Sequence, residues 1–348
     1  MGKVITGNFF EDFSIGQQLK HATPRTVSVG DAALYQALYG SRFAVTSGST
    51  FAQGVGLERM PLDSMLVFHV VFGKTVPDVS LNAVANLGYA GGVFGVPVYP
   101  GDTLTTTSEV IGLKENSNGK TGVVYVHSVG VNQRDETVLD YNRWVMVHKK
   151  DTSAPTPEPV VPDLPTSVPV GSLTVPYRIA SYDVQLAGSP DMWDDYEVGE
   201  RIDHVDGVTI EEAEHMMATR LYQNTAKVHF NQHVEGRGRN GRRIVYGGHV
   251  ISLARSLSFN GLGNALSIAA INGGTHCNPT FAGHTVYAWS EVLDTMVLPD
   301  RSDVGALRVR TVATKDRACA DFPYKGQDGK YLPEVVLDFD YTVLMPRR

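Results

Sequence analysis

Residues 10–21 read FEDFSIGQQLKH and residues 193–204 read WDDYEVGERIDH. Both stretches run aromatic, acid, Asp, aromatic, then an aliphatic residue, Gly and a closing His. Aligning Phe10 with Trp193 sets an offset of 183 residues. The same offset lays Leu38 and Tyr39 over Leu221 and Tyr222. Further on, SEV at 108–110 matches SEV at 290–292 with an offset of 182, and Pro97 and Gly101 fall on Pro279 and Gly283. Matches spread this widely at one spacing mean that the 348 residues hold two copies of one unit.

Between the copies, residues 151–176 read DTSAPTPEPVVPDLPTSVPVGSLTVP. Proline at this density forbids a helix or a central strand, so the segment is expected to be an extended linker. The chain divides into an N-terminal module, 1–150, a Pro-rich linker, 151–185, and a C-terminal module, 186–348. Each copy carries a short amphipathic helix (VGDAALYQALYG, TIEEAEHMMATRLYQ) and then a more apolar one (PLDSMLVFHVVFGKT, GGHVISLARSLSFNG). Thr209 with Glu212 three residues later has the form of a capping box. Runs rich in β-branched residues follow: GVVYVHSVGVNQ, VLDYNRWVMVHK, LRVRTVATKD and VVLDFDYTVLM. The expected class is α+β, with an antiparallel sheet wrapped around one long helix in each copy. Joining the two sheets edge to edge would hide two edge strands.

Composition bounds the rest. Hydrophobic residues at 42% and charged residues at 19% suit a globular protein. A net charge of −7 gives no electrostatic reason to expect nucleic acid. The two cysteines, Cys277 and Cys319, make no disulfide framework and no metal site, and they suit a reducing compartment. No signal-peptide core and no apolar run of about 18 residues occurs, so the cytoplasm is the expected location and no membrane association is expected.

Several segments resemble known proteins. NLGYAGGVFGVPVYPGDTL (86–104) and NGGTHCNPTFAGHTV (272–286) are similar to the strand-entry motif of MaoC-like hotdog proteins. TRLYQNTAKVHFNQH (219–233) resembles the motif of (R)-specific enoyl-CoA hydratases, in which a polar residue precedes a His by five positions, here Asn224 and His229. NFFEDF, HATPRTV, LYGSRFA, VFGKTVPDVSLNAVANLGYA, KENSNGKTGVVYV and RLYQNTAKVHFN resemble the mesaconyl-CoA hydratases, also called β-methylmalyl-CoA dehydratases. That resemblance implies a double hotdog and reversible hydration of mesaconyl-C1-CoA (2-methylfumaryl-CoA) to β-methylmalyl-CoA. It implies no metal and no cofactor, CoA being part of the substrate.

The repeat indicates which copy holds the chemistry. The offset of 183 puts Ser41 opposite Asn224 and Thr46 opposite His229. Neither hydroxyl is a base near pH 7, whereas an imidazole is. The C-terminal copy is therefore read as catalytic and the N-terminal copy as silent, a second wall for the acyl pocket. His229 is expected to deprotonate the water, Asn224 to hold it, and the N–H groups of Gly247 and Gly248, at a helix start, to receive the thioester oxyanion. The (R)-hydratases usually have Asp where this chain has Asn224, and an amide cannot return a proton. Arg42 and Arg25 are candidates for the substrate carboxylate, and Arg237, Arg239, Arg242 and Arg243 in EGRGRNGRR for the CoA phosphates. His21 and His204 share a repeat position, which suits a shared structural role.

Other functions fit the same fold. A thioesterase would need a carboxylate facing the carbonyl, which the Asn224/His229 pair does not supply. A non-catalytic acyl-CoA binder would need neither His229 nor the glycine pair. A homo-oligomer, a dimer, is expected.

Overall fold

The computed structural model describes residues 3–238 and 240–348. Ten strands form one antiparallel sheet. The first copy supplies β1 (Gln18–Thr26), β2 (Ala83–Phe94), β3 (Thr103–Glu115), β4 (Thr121–Val131) and β5 (Thr137–His148). The second supplies β6 (Arg201–Thr209), β7 (Ser267–His276), β8 (Thr285–Val297), β9 (Val304–Lys315) and β10 (Val335–Pro346). Their order is β1-β3-β4-β5-β2-β7-β10-β9-β8-β6. The second half thus repeats the first in reverse, and β2 and β7 join them, with Tyr89 opposite Gly274 and Val93 opposite Ala270.

The helices follow the repeat. Val29–Tyr39 matches Glu212–Leu221, and Ser64–Thr75 matches Gly247–Leu257. The two later helices are the buried ones: Leu66, Phe68, Val71, Ile251 and Ala254 are each at most 1% exposed and belong to one core cluster spanning both halves. Burial of this apolar surface is the main favourable term holding the halves together.

Two local features are explained by side-chain chemistry. Ser28 caps the first helix, accepting from Asp31 N–H while the Asp31 carboxylate accepts from Ser28 N–H. The capping box expected at Thr209 does not form. Thr209 closes β6 and its hydroxyl pairs with that of Thr285 at 2.8 Å, while the helix begins at Glu212, behind Glu211. The strand ladder satisfies Thr209 before a helix can start. His21 and His204 do share a role: each bonds a serine on the adjacent strand, Ser108 and Ser290, at 2.8 Å.

After β5 the Pro-rich segment crosses the sheet. Val160 bridges Leu113 of β3, Val168 N–H donates to Asn272 of β7 at 2.8 Å, and Arg308 of β9 donates to the Thr166 carbonyl at 3.1 Å.

Candidate active site

A cavity of about 630 Å³ lies where the two halves meet. Phe72, Asn86, Tyr89 and Arg143 come to it from the first copy, and Asn224, His229, Tyr246, Gly247 and His276 from the second.

His229 ends a short turn, Lys227–His229. Its Nδ1 lies 3.0 Å from the Ile244 carbonyl oxygen. A carbonyl only accepts, so Nδ1 carries the hydrogen and Nε2 keeps its lone pair. Burial pushes the imidazole down to about 4, against the opposing pull of the Ile244 carbonyl. Asn224 is 5% exposed, and its Oδ1 accepts from Ala226 N–H at 2.9 Å. The amide therefore closes its own turn and keeps its nitrogen as the group it can offer. Asn224 lines the same cavity as His229.

The two glycines diverge. Gly247 opens the helix Gly247–Leu257 and lines the cavity, with no side chain capping the helix. Gly248 does not line the cavity; a Cβ there would lie 2.4 Å from the Tyr246 ring and 2.5 Å from His69. A Cβ on Gly247 would lie 2.4 Å from Cε1 of His276. Both positions thus need glycine because rings pack on them.

The arginines are spread out. Arg25 is paired with Asp31 at 2.6 Å, and Arg42 lies 4.5 Å over the Phe259 ring. Neither lines the cavity, because the loop holding Arg42 belongs to the matching pocket of the first copy, lined by Phe43 and Thr46. Arg243 pairs with Glu212, Arg242 stacks 4.3 Å over Phe281, and Arg237 is exposed. Arg239 lies outside the described residues. This loop borders the cavity, since Glu235, Asn240 and Ile244 line it.

Sequence reasoning missed Arg143 and His276 in the wall. Arg143 is fully buried on β5; it donates to Thr75 Oγ1 at 2.7 Å and more distantly to Asn86 and Ser80, and it lies 4.3 Å over the Phe72 ring. Among the described residues its Nε has no partner, nor does the buried amide nitrogen of Asn86. An arginine on the core face of a strand otherwise alternating with Tyr141 and Val145 was the available signal.

The matching pocket of the first copy holds about 60 Å³. Thr46 and Ser64 line it where His229 and Gly247 line the large cavity. There the helix start is closed: the Asp63 carboxylate accepts from Met65 N–H at 2.8 Å. The residue matching Asp63 is Tyr246, which caps nothing. Among the described residues, no group of three or more His, Cys, Asp or Glu could hold a metal ion, and no helix is long and apolar enough to cross a membrane.

Solved structures share this architecture. A MaoC domain dehydratase from Chloroflexus aurantiacus superimposes with a TM-score of 0.99 at 73% identity, over 100% of both chains. A Mycobacterium tuberculosis protein described as a double hotdog matches at a TM-score of 0.78 and 25% identity, over 98% of this chain and 99% of that one. Fold and site define a MaoC-like double-hotdog hydro-lyase. The family profile described as mesaconyl-CoA hydratase matches residues 3–163. The beta-methylmalyl-CoA dehydratase of Chloroflexus aurantiacus is 74% identical, covering 99% of both chains, and the mesaconyl-CoA hydratase of Cereibacter sphaeroides is 58% identical, covering 99% of this chain and 100% of its own. The chain belongs to the mesaconyl-CoA hydratase family.

Proposed function

We propose that this protein adds water reversibly to mesaconyl-C1-CoA (2-methylfumaryl-CoA), giving β-methylmalyl-CoA. The observation that carries the reading is the orientation of His229, whose Nδ1–H is spent on Ile244 and whose Nε2 is left as a base in the cavity. Nε2 takes a proton from water as the water oxygen bonds to C3. The π pair moves through C2 onto the thioester oxygen, which the Gly247 N–H receives at the uncapped helix start. The imidazolium then returns its proton to C2 as the enolate collapses. Asn224 holds the water by its amide nitrogen, and the transfer does not need it to ionise.

Arg143 and Asn86 replace Arg25 and Arg42 as the groups for the free carboxylate, because they line the cavity with unpaired donors. Lys227, Arg237 and Arg242 are the cations for the CoA phosphates. The first copy serves as wall and not as catalyst, supported by Thr46 in place of a base and by Asp63 closing its helix start. No resident cofactor is needed, since the thioester itself stabilises the enolate. The working form is a cytoplasmic homodimer, and the functional division of the chain is 1–150, 151–185 and 186–348.

The test is incubation with mesaconyl-C1-CoA while enoyl-thioester absorbance is followed. Loss to an equilibrium, CoA still esterified, and an inactive His229→Ala variant support the reading. Release of free CoA would make the protein a thioesterase, and binding without turnover would make it an acyl-CoA carrier.

A further inference from the structure

His276 ends β7 and stands in the cavity wall beside Gly247. Its ring rests on the glycine: a Cβ on Gly247 would lie 2.4 Å from Cε1, 2.5 Å from Nδ1 and 2.7 Å from Nε2. Nε2 is 3.1 Å from the hydroxyl of Tyr89, which arrives from the first copy across the β2–β7 seam. Tyr89 is 2% exposed, and His276 is the hydrogen-bond partner found for its hydroxyl among the described residues. A buried phenol hydrogen needs an acceptor, so Tyr89 donates and Nε2 accepts. Nδ1 then carries the ring hydrogen, on the nitrogen that Tyr89 does not engage.

The ring is also kept uncharged. Burial, and secondarily its neighbour His229, push His276 down to about 4. A neutral imidazole is a hydrogen-bond donor that does not compete for the proton His229 must handle, and it can polarise a carbonyl without ionising. In the first copy the matching residue is Phe94: Phe94 pairs with Leu139 as His276 pairs with Leu337. Phe94 lines the small pocket, where the helix start is already closed by Asp63. The imidazole and the open helix start therefore occur together, in one half only.

We propose that His276 is a catalytic residue that donates Nδ1–H to the thioester oxygen alongside the Gly247 N–H, with Tyr89 as the positioning residue that sets its tautomer. The inference rests on the hydratase reading for its chemistry. It makes the oxyanion site a joint product of both copies, with Tyr89 from one and Gly247 and His276 from the other.

The test combines turnover of mesaconyl-C1-CoA with the ¹³C resonance of a carbonyl-labelled saturated thioester, butyryl-CoA, bound to the same proteins. His276→Leu is expected to lower kcat by about 100-fold with KM little changed, the loss typical of one oxyanion donor. His276→Gln, which keeps a donor, should recover about tenfold. Tyr89→Phe should lose less, and adding it to His276→Leu should cost nothing more. Bound butyryl-CoA should show a downfield carbonyl shift in the wild type that shrinks in His276→Leu and persists in His229→Ala. A folded His276→Leu with kcat within about twofold of wild type, or a carbonyl shift that does not change, would overturn the proposal; if His276→Leu does not fold, the same limits apply to His276→Gln against Tyr89→Phe. A wild type that hydrates nothing, yet shifts the bound carbonyl through His276, would sink the hydratase reading and leave the donor role standing.

Discussion

The hydroxyls of Tyr39 and Tyr222 lie 2.7 Å apart, and the two residues are 183 positions apart in the chain. They are the same residue of the repeat, meeting itself across the axis that relates the halves. His69 and Ser252, also 183 apart, meet at 2.9 Å, but there the repeat has diverged to an imidazole and a hydroxyl. Tyr39 further reaches His249 Nδ1 at 3.0 Å. All of these groups are buried. Tyr39→Phe and Tyr222→Phe should each cost about 1–2 kcal/mol, and the double variant should cost less than their sum because they share a bond. Urea unfolding of the four proteins checks this, and additive losses would mean that the pair does not couple.

Histidines dominate the response to acid. Burial first of all pushes His69 and His249 down to about 3, and His204, His229 and His276 down to about 4. In the unfolded chain these imidazoles titrate near about 6.5. Below that pH the unfolded state binds protons that the folded state refuses. The stability they contribute is thus complete above about 6.5 and is lost as pH falls toward 4. His127, raised by Asp140, works the other way but is a single partly exposed group. The melting temperature should drop by more than about 5 °C between pH 7.5 and 5.0. A flat profile over that window would show that these rings do not stay neutral in the fold.

Catalysis should follow a different curve. A neutral His229 is the active form, and it stays neutral down to about 4. In brief assays on folded protein, kcat/KM should change by less than about twofold from pH 7.5 to 5.5, without the acid limb near about 6.5 that an ordinary histidine would give. An acid limb at the ordinary value would place the base elsewhere or in a wetter setting.

The sequence made the repeat and its consequences legible. One offset foretold helix-on-helix equivalence at Val29–Tyr39 and Glu212–Leu221 and again at the buried pair, together with the single joined sheet. Asn224 and His229 were readable because five residues of one loop fix their spacing. Arg143 and His276 were not, since strands far apart in the chain bring them to the cavity. His276 carries no local motif of its own, and only the fold brings it to Gly247. Arg42 shows the converse: its neighbours Phe43 and Thr46 line the small pocket, to which the repeat carries that loop.

Gly247→Ala separates packing from chemistry. The added methyl would press on the His276 ring, which is tied to Tyr89 and cannot simply swing away. A cost of about 1–3 kcal/mol in stability is expected. The larger effect should be on turnover, because the ring and the helix start would be pushed apart. We expect kcat to fall by about 100-fold or more. Pairing Gly247→Ala with His276→Ala should restore the stability and not the activity; recovery of both would reduce the glycine to a packing residue.

Selectivity tests Arg143. A guanidinium fully buried with its Nε unpaired and, among the described residues, no carboxylate partner is costly unless something negative joins it. The silent pocket makes the contrast: its buried Arg255 has the Asp63 carboxylate nearby. If the substrate supplies the missing charge, Arg143→Gln should lower kcat/KM for mesaconyl-C1-CoA by about 100-fold, as expected for loss of charge-assisted bonds. Crotonyl-CoA, which has no second carboxylate, should lose little or gain. Arg143→Lys keeps the charge without the fork and should fall between. Equal losses on both substrates in a protein with an unchanged melting temperature would make Arg143 a support for Phe72 and Tyr89, and the acyl carboxylate would have to be held elsewhere.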